Sequence, residues 1–181
     1  MKRILLIMVM LLTVVGAKAQ VTMNARVGFG GITDGTGIVG IFQMNIPFKK
    51  GSRFTFSPSV EYNHAFDVDT KFEDYYEGSR MLLFPLHIGC KASLGKKVIF
   101  FPKIGVGLGN DFGFDSGFIC GPSTELSLET KHFVVALGAF YSGATPSIKV
   151  PWGWNSWMGG WQYSDVPYNP WKATISLGYK F

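Results

Sequence analysis

The chain has 181 residues, with 17 Lys and Arg against 12 Asp and Glu, 47% hydrophobic residues and 15% aromatic ones. Removing the first 19 residues leaves 162 and takes away Lys2, Arg3 and Lys18, so the formal charge falls from +5 to +2 and gives no warrant for nucleic-acid binding. Mean hydropathy is +0.19, yet the remainder holds no run of about 18 apolar residues, which excludes a helical span and leaves the apolar content spread along strands.

Residues 1–19 read as a secretory signal. Lys2 and Arg3 form the positive start, an apolar run follows, and Ala17-Lys18-Ala19 is a small-x-small cleavage site. Cleavage falls between Ala19 and Gln20, and residues 20–181 make one domain. The apolar run is too short for a spanning helix, which needs about 20 residues.

Eight strands follow in order. The first, residues 21–31, sets Met23, Ala25, Val27 and Phe29 against Asn24, Arg26, Gly28 and Gly30. The second, 37–48, alternates Phe42, Met44, Ile46 and Phe48 with Gln43, Asn45 and Pro47, and 49–52 is a tight turn. The third, 53–64, sets Phe54, Phe56, Val60 and Tyr62 against Arg53, Thr55, Ser57, Ser59 and Glu61. Pro58 removes a ladder donor on the apolar face and predicts a bulge. Residues 65–78 form a long acidic loop with Asp67, Asp69, Glu73, Asp74 and Glu77.

The fourth strand, 79–92, alternates less cleanly, because Met81 and Leu83 share a face with His87 and Lys91. After a turn at 93–97, the fifth, 98–109, sets Phe100, Ile104, Val106 and Leu108 against Phe101, Lys103, Gly105 and Gly107. The sixth, 118–129, sets Cys120, Thr124, Leu126 and Leu128 against Gly121, Ser123, Glu125 and Glu129. A turn at 130–132 leads to the seventh, 133–142, and the longest connection, 143–170, to the last, 171–181. That strand is strictly alternating: Trp171, Ala173, Ile175, Leu177, Tyr179 and Phe181 against Lys172, Thr174, Ser176, Gly178 and Lys180.

The pattern predicts an all-β chain: an eight-stranded antiparallel up-and-down transmembrane β-barrel. Tight turns at one end alternate with generally longer loops at the other, as in outer-membrane barrels. A soluble barrel uses the same alternation with its faces exchanged. Glycine and charge decide between them. The polar face carries Gly28, Gly30, Gly105, Gly107, Gly109, Gly121, Gly138 and Gly178, and a lumen of eight strands is just wide enough for side chains to fill. The apolar face is almost free of charge, as lipid demands, since Arg or Lys at the bilayer midplane costs about 2–4 kcal/mol.

Lumen-facing charges then include Arg26, Arg53, Glu61, Lys103 and Glu125, with Lys103 facing Glu125 across the fifth and sixth strands. Two readings stay open: a charge-paired plug, or ions solvated in a wet lumen. Cys90 and Cys120 fall at opposite ends of the wall, too far apart for a disulfide. In the last loop, Trp152, Trp154, Trp157, Trp161 and Tyr163 either grip a sugar or protein partner or pack on the rim and the lipid interface. Lys49, Lys50, Lys96, Lys97 and Lys131 in the tight turns would meet anionic lipid heads. The acidic loop is read as solvated surface rather than a calcium site, because it lacks the glycine-bearing spacing of a calcium loop.

A chain ending in Tyr179-Lys180-Phe181, with aromatic or apolar residues at alternate positions, resembles the C-terminal strand of bacterial outer-membrane barrels. The run Met81 to Ile88, the lysine turn and Phe101-Pro102-Lys103-Ile104-Gly105-Val106-Gly107-Leu108-Gly109 are similar to the small outer membrane protein beta-barrel domain family, porin-like and related in architecture to the OmpA membrane domain and OmpX. The resemblance implies a cell outer membrane location in a Gram-negative envelope, with Tyr179 and Phe181 as the signal for the barrel-assembly machinery. It carries over no catalytic residue. The triplets at His64, His87 and His132 do not match the His-x-Ser of a lipid-A deacylase, and His64 with Asp67 and Ser79 only loosely echoes a palmitoyl-transferring barrel. The expectation is a monomeric, non-enzymatic barrel in outer-membrane lipid, with no cofactor or metal and loops contacting an extracellular ligand. The alternatives are a small-solute channel and a lipid-A-modifying enzyme.

Overall fold

The computed structural model describes residues 21–33, 35–66, 80–112, 117–143, 147–155, 160–167 and 169–181, with backbone only over 147–155 and 160–167. The strands are β1 (Thr22–Ile32), β2 (Gly35–Pro47), β3 (Phe54–Phe66), β4 (Arg80–Cys90), β5 (Ala92–Leu94), β6 (Val98–Asp111), β7 (Gly117–Glu129), β8 (Phe133–Tyr141), β9 (Ser147–Asn155), β10 (Gly160–Pro167) and β11 (Trp171–Lys180).

Eight of them form one closed antiparallel barrel. Its order runs β4-β3-β2-β1-β11-β8-β7-β6, and β4 pairs with β6 to close it. Chain neighbours pair throughout, and the two terminal strands meet at the β1–β11 seam, from Asn24 opposite Lys180 to Ile32 opposite Lys172. Closure matters because no strand is left as an open edge, so ladder N–H and C=O groups find partners within the wall, which is what lets strands cross hydrocarbon. Bonds at both ends lengthen the seam: Thr33 N donates to Trp171 O at 2.8 Å and Phe181 N to Met23 O at 2.9 Å.

The faces are those of a membrane barrel. Val27 is 73% exposed, Ile104 71% and Leu177 56%, and Phe29, Leu126, Leu137 and Ile175 also point outward. The neighbours that alternate with them are buried inside: Arg26, Gln43, Glu61, Lys103, Glu125, Lys172 and Ser176. Glycines make the interior fit. A Cβ on Gly121 would stand 1.9 Å from Tyr141 O, and one on Gly107 would stand 2.8 Å from the Phe140 ring. Only a residue without a side chain allows those approaches.

Three details depart from the sequence reading. Pro58 produces no bulge: the β2–β3 register is the same at Gln43–Ser59 and Ile46–Phe56, and the β3–β4 register is the same at Pro58–Leu86 and Glu61–Leu83. With its side chain on the outer face, Pro58 drops out of the β2–β3 ladder without shifting it. The fourth predicted strand is divided at Lys91 into β4 and β5, which keep one register along β6. The break falls beside the position facing Pro102, which has no N–H for the ladder, and Lys91 N donates instead to Arg53 O at 2.9 Å. Thirdly, the long connection contains a separate hairpin, β9–β10.

Candidate functional site

Two places hold chemistry: the lumen and the loop end. In the lumen, register sets Lys103 opposite Glu125 across β6 and β7, and their side chains meet at 2.5 Å. The second oxygen of Glu125 accepts from Arg26 Nη2 on β1 at 2.7 Å. Gln43 on β2 completes the cluster, accepting from Lys103 Nζ at 2.8 Å and donating to Glu125 at 3.3 Å. Lys103 also sits 4.3 Å from the centre of the Phe101 ring, a cation–π contact strengthened by exclusion of water.

Two further ion pairs flank this cluster. Towards the turn end, Lys180 Nζ lies 3.1 Å from Glu129, whose other oxygen is 4.0 Å from Lys103. Towards the loop end, Lys172 pairs with Glu61. Arg26, Glu61, Lys103, Glu125 and Glu129 are each 3% exposed or less, so these are desolvated charges that persist only because each meets its opposite. Arg53 is not among them. It precedes β3 at the turn-end rim and is exposed, because the inward direction there opens to solvent. It contributes a backbone carbonyl to Lys91 instead.

Sequence reasoning missed two features of the lumen. His87 Nε2 lies 2.9 Å from Ser123 Oγ, both buried. At the loop end the interior is apolar: Ile32, Val39, Ala65, Met81, Leu83 and Ile119 are each 2% exposed or less. The weak alternation at Met81 and Leu83 was the available signal. These side chains form an apolar layer at the loop end of the interior, level with the Lys172–Glu61 pair: Ile32 faces Lys172 and Leu83 faces Glu61 in the ladders. Between Arg26, Glu61, His87, Glu125 and Lys172 lies a cavity of about 10 Å³, room for about one water.

Among the other candidates, His64 meets the Phe66 edge with ring centres 4.7 Å apart, and His132 stacks on Tyr179 at 5.8 Å. Tyr179 also contacts Phe133 and Phe181 in an outward aromatic cluster at the turn end. Cys90 and Cys120 are free thiols. Trp152 and Trp154 lie on β9, and Trp161 and Tyr163 on β10. Trp154 is in register with Trp161, and an irregularity between Gln162 and Tyr163 makes Trp152 the extra residue. Ala19, Gln20, Trp157 and nearly all of the acidic loop lie outside the described residues.

No protein-family model and no curated protein sequence matches the chain. Solved structures do match. Neisserial surface protein A aligns with a TM-score of 0.58 at 9% identity, over 88% of this chain and 95% of that one. A major outer membrane protein from Thermus thermophilus aligns at 0.54 and 15% identity, over 89% and 99%. The outer membrane protein OprG from Pseudomonas aeruginosa aligns at 0.52 and 13% identity, over 91% and 97%. At such identities the likeness is one of fold. With its apolar exterior, closed wall and polar interior, the chain is in fold an eight-stranded outer-membrane β-barrel.

Proposed function

We propose that the barrel is a sealed anchor that presents its loop-end segments, above all the β9–β10 hairpin, to a ligand or partner outside the cell. The sealed lumen carries this reading. Buried apolar side chains at the loop end and three tiers of buried ion pairs fill the interior, and the cavity between Arg26, Glu61 and Glu125 measures about 10 Å³, room for about one water rather than a file of them, which favours surface contact over solute passage. The hairpin belongs to a separate sheet, and its Trp-rich composition suits recognition of a sugar or protein surface.

Two measurements test it. Purified protein in planar bilayers gives a silent trace; stepwise conductance contradicts the sealed lumen. Cells displaying the full chain, or a version with a short Gly-Ser linker replacing residues 147–167, are then compared on arrays of glycans and matrix proteins. Binding is lost with the hairpin while the barrel still assembles; equal binding by both contradicts the hairpin's role.

A further inference from the structure

The other end of the barrel carries a cleft of about 640 Å³ between the β5–β6 and β7–β8 turns. Lys96, Lys97, Lys131, His132 and the Glu129-paired Lys180 supply its polar side, while Val98 and Phe133 supply an apolar one. The size is within the range of about 300–1,000 Å³ common to small-molecule sites.

The charge in the cleft is uncompensated. No acidic side chain lines it, and among the described residues Lys96, Lys97 and Lys131 form no ion pair. The nearby carboxylate, Glu129, is taken up inside the lumen by Lys180 at 3.1 Å, with Lys103 at 4.0 Å. Lys96, Lys97 and Lys131, with Lys180, line one concave place, where Gly95, at φ +77°, folds the β5–β6 turn tightly and Thr130 holds the neighbouring one. Thr130 Oγ1 accepts from Phe133 N at 3.0 Å.

The apolar side says which anion fits. Phe133 is 59% exposed, and it begins the outward series Phe133, Val135 and Leu137 along β8. A phosphate on the lysines would therefore place an attached acyl chain directly on the lipid-facing wall. Free phosphate would use the cationic half alone. The other lysine-bearing turn, with Lys49 and Lys50, supplies no lining to this cleft.

We propose that this cleft is a binding site for an anionic glycerophospholipid of the leaflet at the turn end. The phosphodiester sits among Lys96, Lys97 and Lys131, and its chains lie along Phe133 and Val135. The cleft lies at the turn end of the barrel, and lipid bound there is independent of the surface-contact role.

Native mass spectrometry of the refolded full chain tests it, with dioleoyl-phosphatidylglycerol, dioleoyl-phosphatidylcholine or inorganic phosphate as probes. The expected result is retained phosphatidylglycerol, with at least tenfold less phosphatidylcholine and no competition from millimolar phosphate. Lys96→Gln with Lys97→Gln lowers retention at least fivefold, whereas Lys49→Gln with Lys50→Gln, which removes the same charge from the other turn, leaves it within twofold. All variants keep the heat-modifiable gel mobility of a folded barrel. Equal loss in both double variants would reduce the effect to general surface charge and overturn the site. So would equal retention of the two lipids, or displacement by free phosphate.

Discussion

Glu125 Oε2 lies 2.7 Å from Arg26 Nη2, joining β7 to β1 across the lumen between strands that do not pair in the wall. Because Glu125 Oε1 holds Lys103 at 2.5 Å, a single carboxylate balances two buried cations. Removing it does more than delete two bonds, since it takes from Arg26 its carboxylate and leaves Lys103 only Glu129 at 4.0 Å, both charges staying buried. Glu125→Gln is expected to cost about 3–5 kcal/mol of stability, measured by urea unfolding in lipid vesicles. Replacing all three with apolar residues, Arg26→Met, Lys103→Met and Glu125→Leu, recovers most of that loss, because no unpaired charge remains. If Glu125→Gln unfolds at the wild-type urea midpoint, these ions are solvated rather than paired.

Glycine substitutions separate the two faces. Gly121→Ala places a Cβ 1.9 Å from Tyr141 O and 2.9 Å from Gly143 N, both backbone atoms, and is expected to destabilise by about 1–3 kcal/mol. Gly40 faces outward, and a Cβ added there would meet nothing within 4 Å. Gly40→Ala is therefore expected to be neutral or to stabilise by about 0.4–1 kcal/mol, through the unfolded chain. Unfolding midpoints of the two variants check this; the opposite order would contradict the packing of the wall.

The terminal strand yields a kinetic expectation. Tyr179 and Phe181 form an outward cluster with ring centres 5.6 Å apart, and Phe181 is 67% exposed, so its ring has little lumen packing to lose. Deleting Phe181 is expected to lower assembled barrel in cells several-fold, while refolding into detergent and the final unfolding midpoint stay near wild type. An unchanged yield in cells would remove Phe181 as an assembly signal.

The legible parts of the fold were those fixed by local period. The alternation at 171–181 identified a strand with one face in lipid, and register across the connection between the fifth and sixth predicted strands set Lys103 opposite Glu125. Contacts across the lumen were not legible. Arg26 reaching Glu125, and Lys172 reaching Glu61, depend on how far the strands shear as the barrel closes. No stretch of sequence encodes that distance. Arg53 shows the complementary limit: its parity was right, but an inward direction is buried only where wall surrounds it. The β9–β10 hairpin escaped notice because Pro151, the glycines and the crowded tryptophans hide its two-residue period.

Acyl chains meet the apolar side of each strand, and the polar side is enclosed. Spin labels placed one at a time at Ala173, Thr174, Ile175, Ser176 and Leu177 of β11, in a Cys90→Ala, Cys120→Ala background, test it most directly in a bilayer. Relaxation by dissolved oxygen, which concentrates in lipid, is expected to be high at 173, 175 and 177 and low at 174 and 176. High oxygen accessibility at 174 and 176, with 173, 175 and 177 protected, would put the apolar side in the lumen instead.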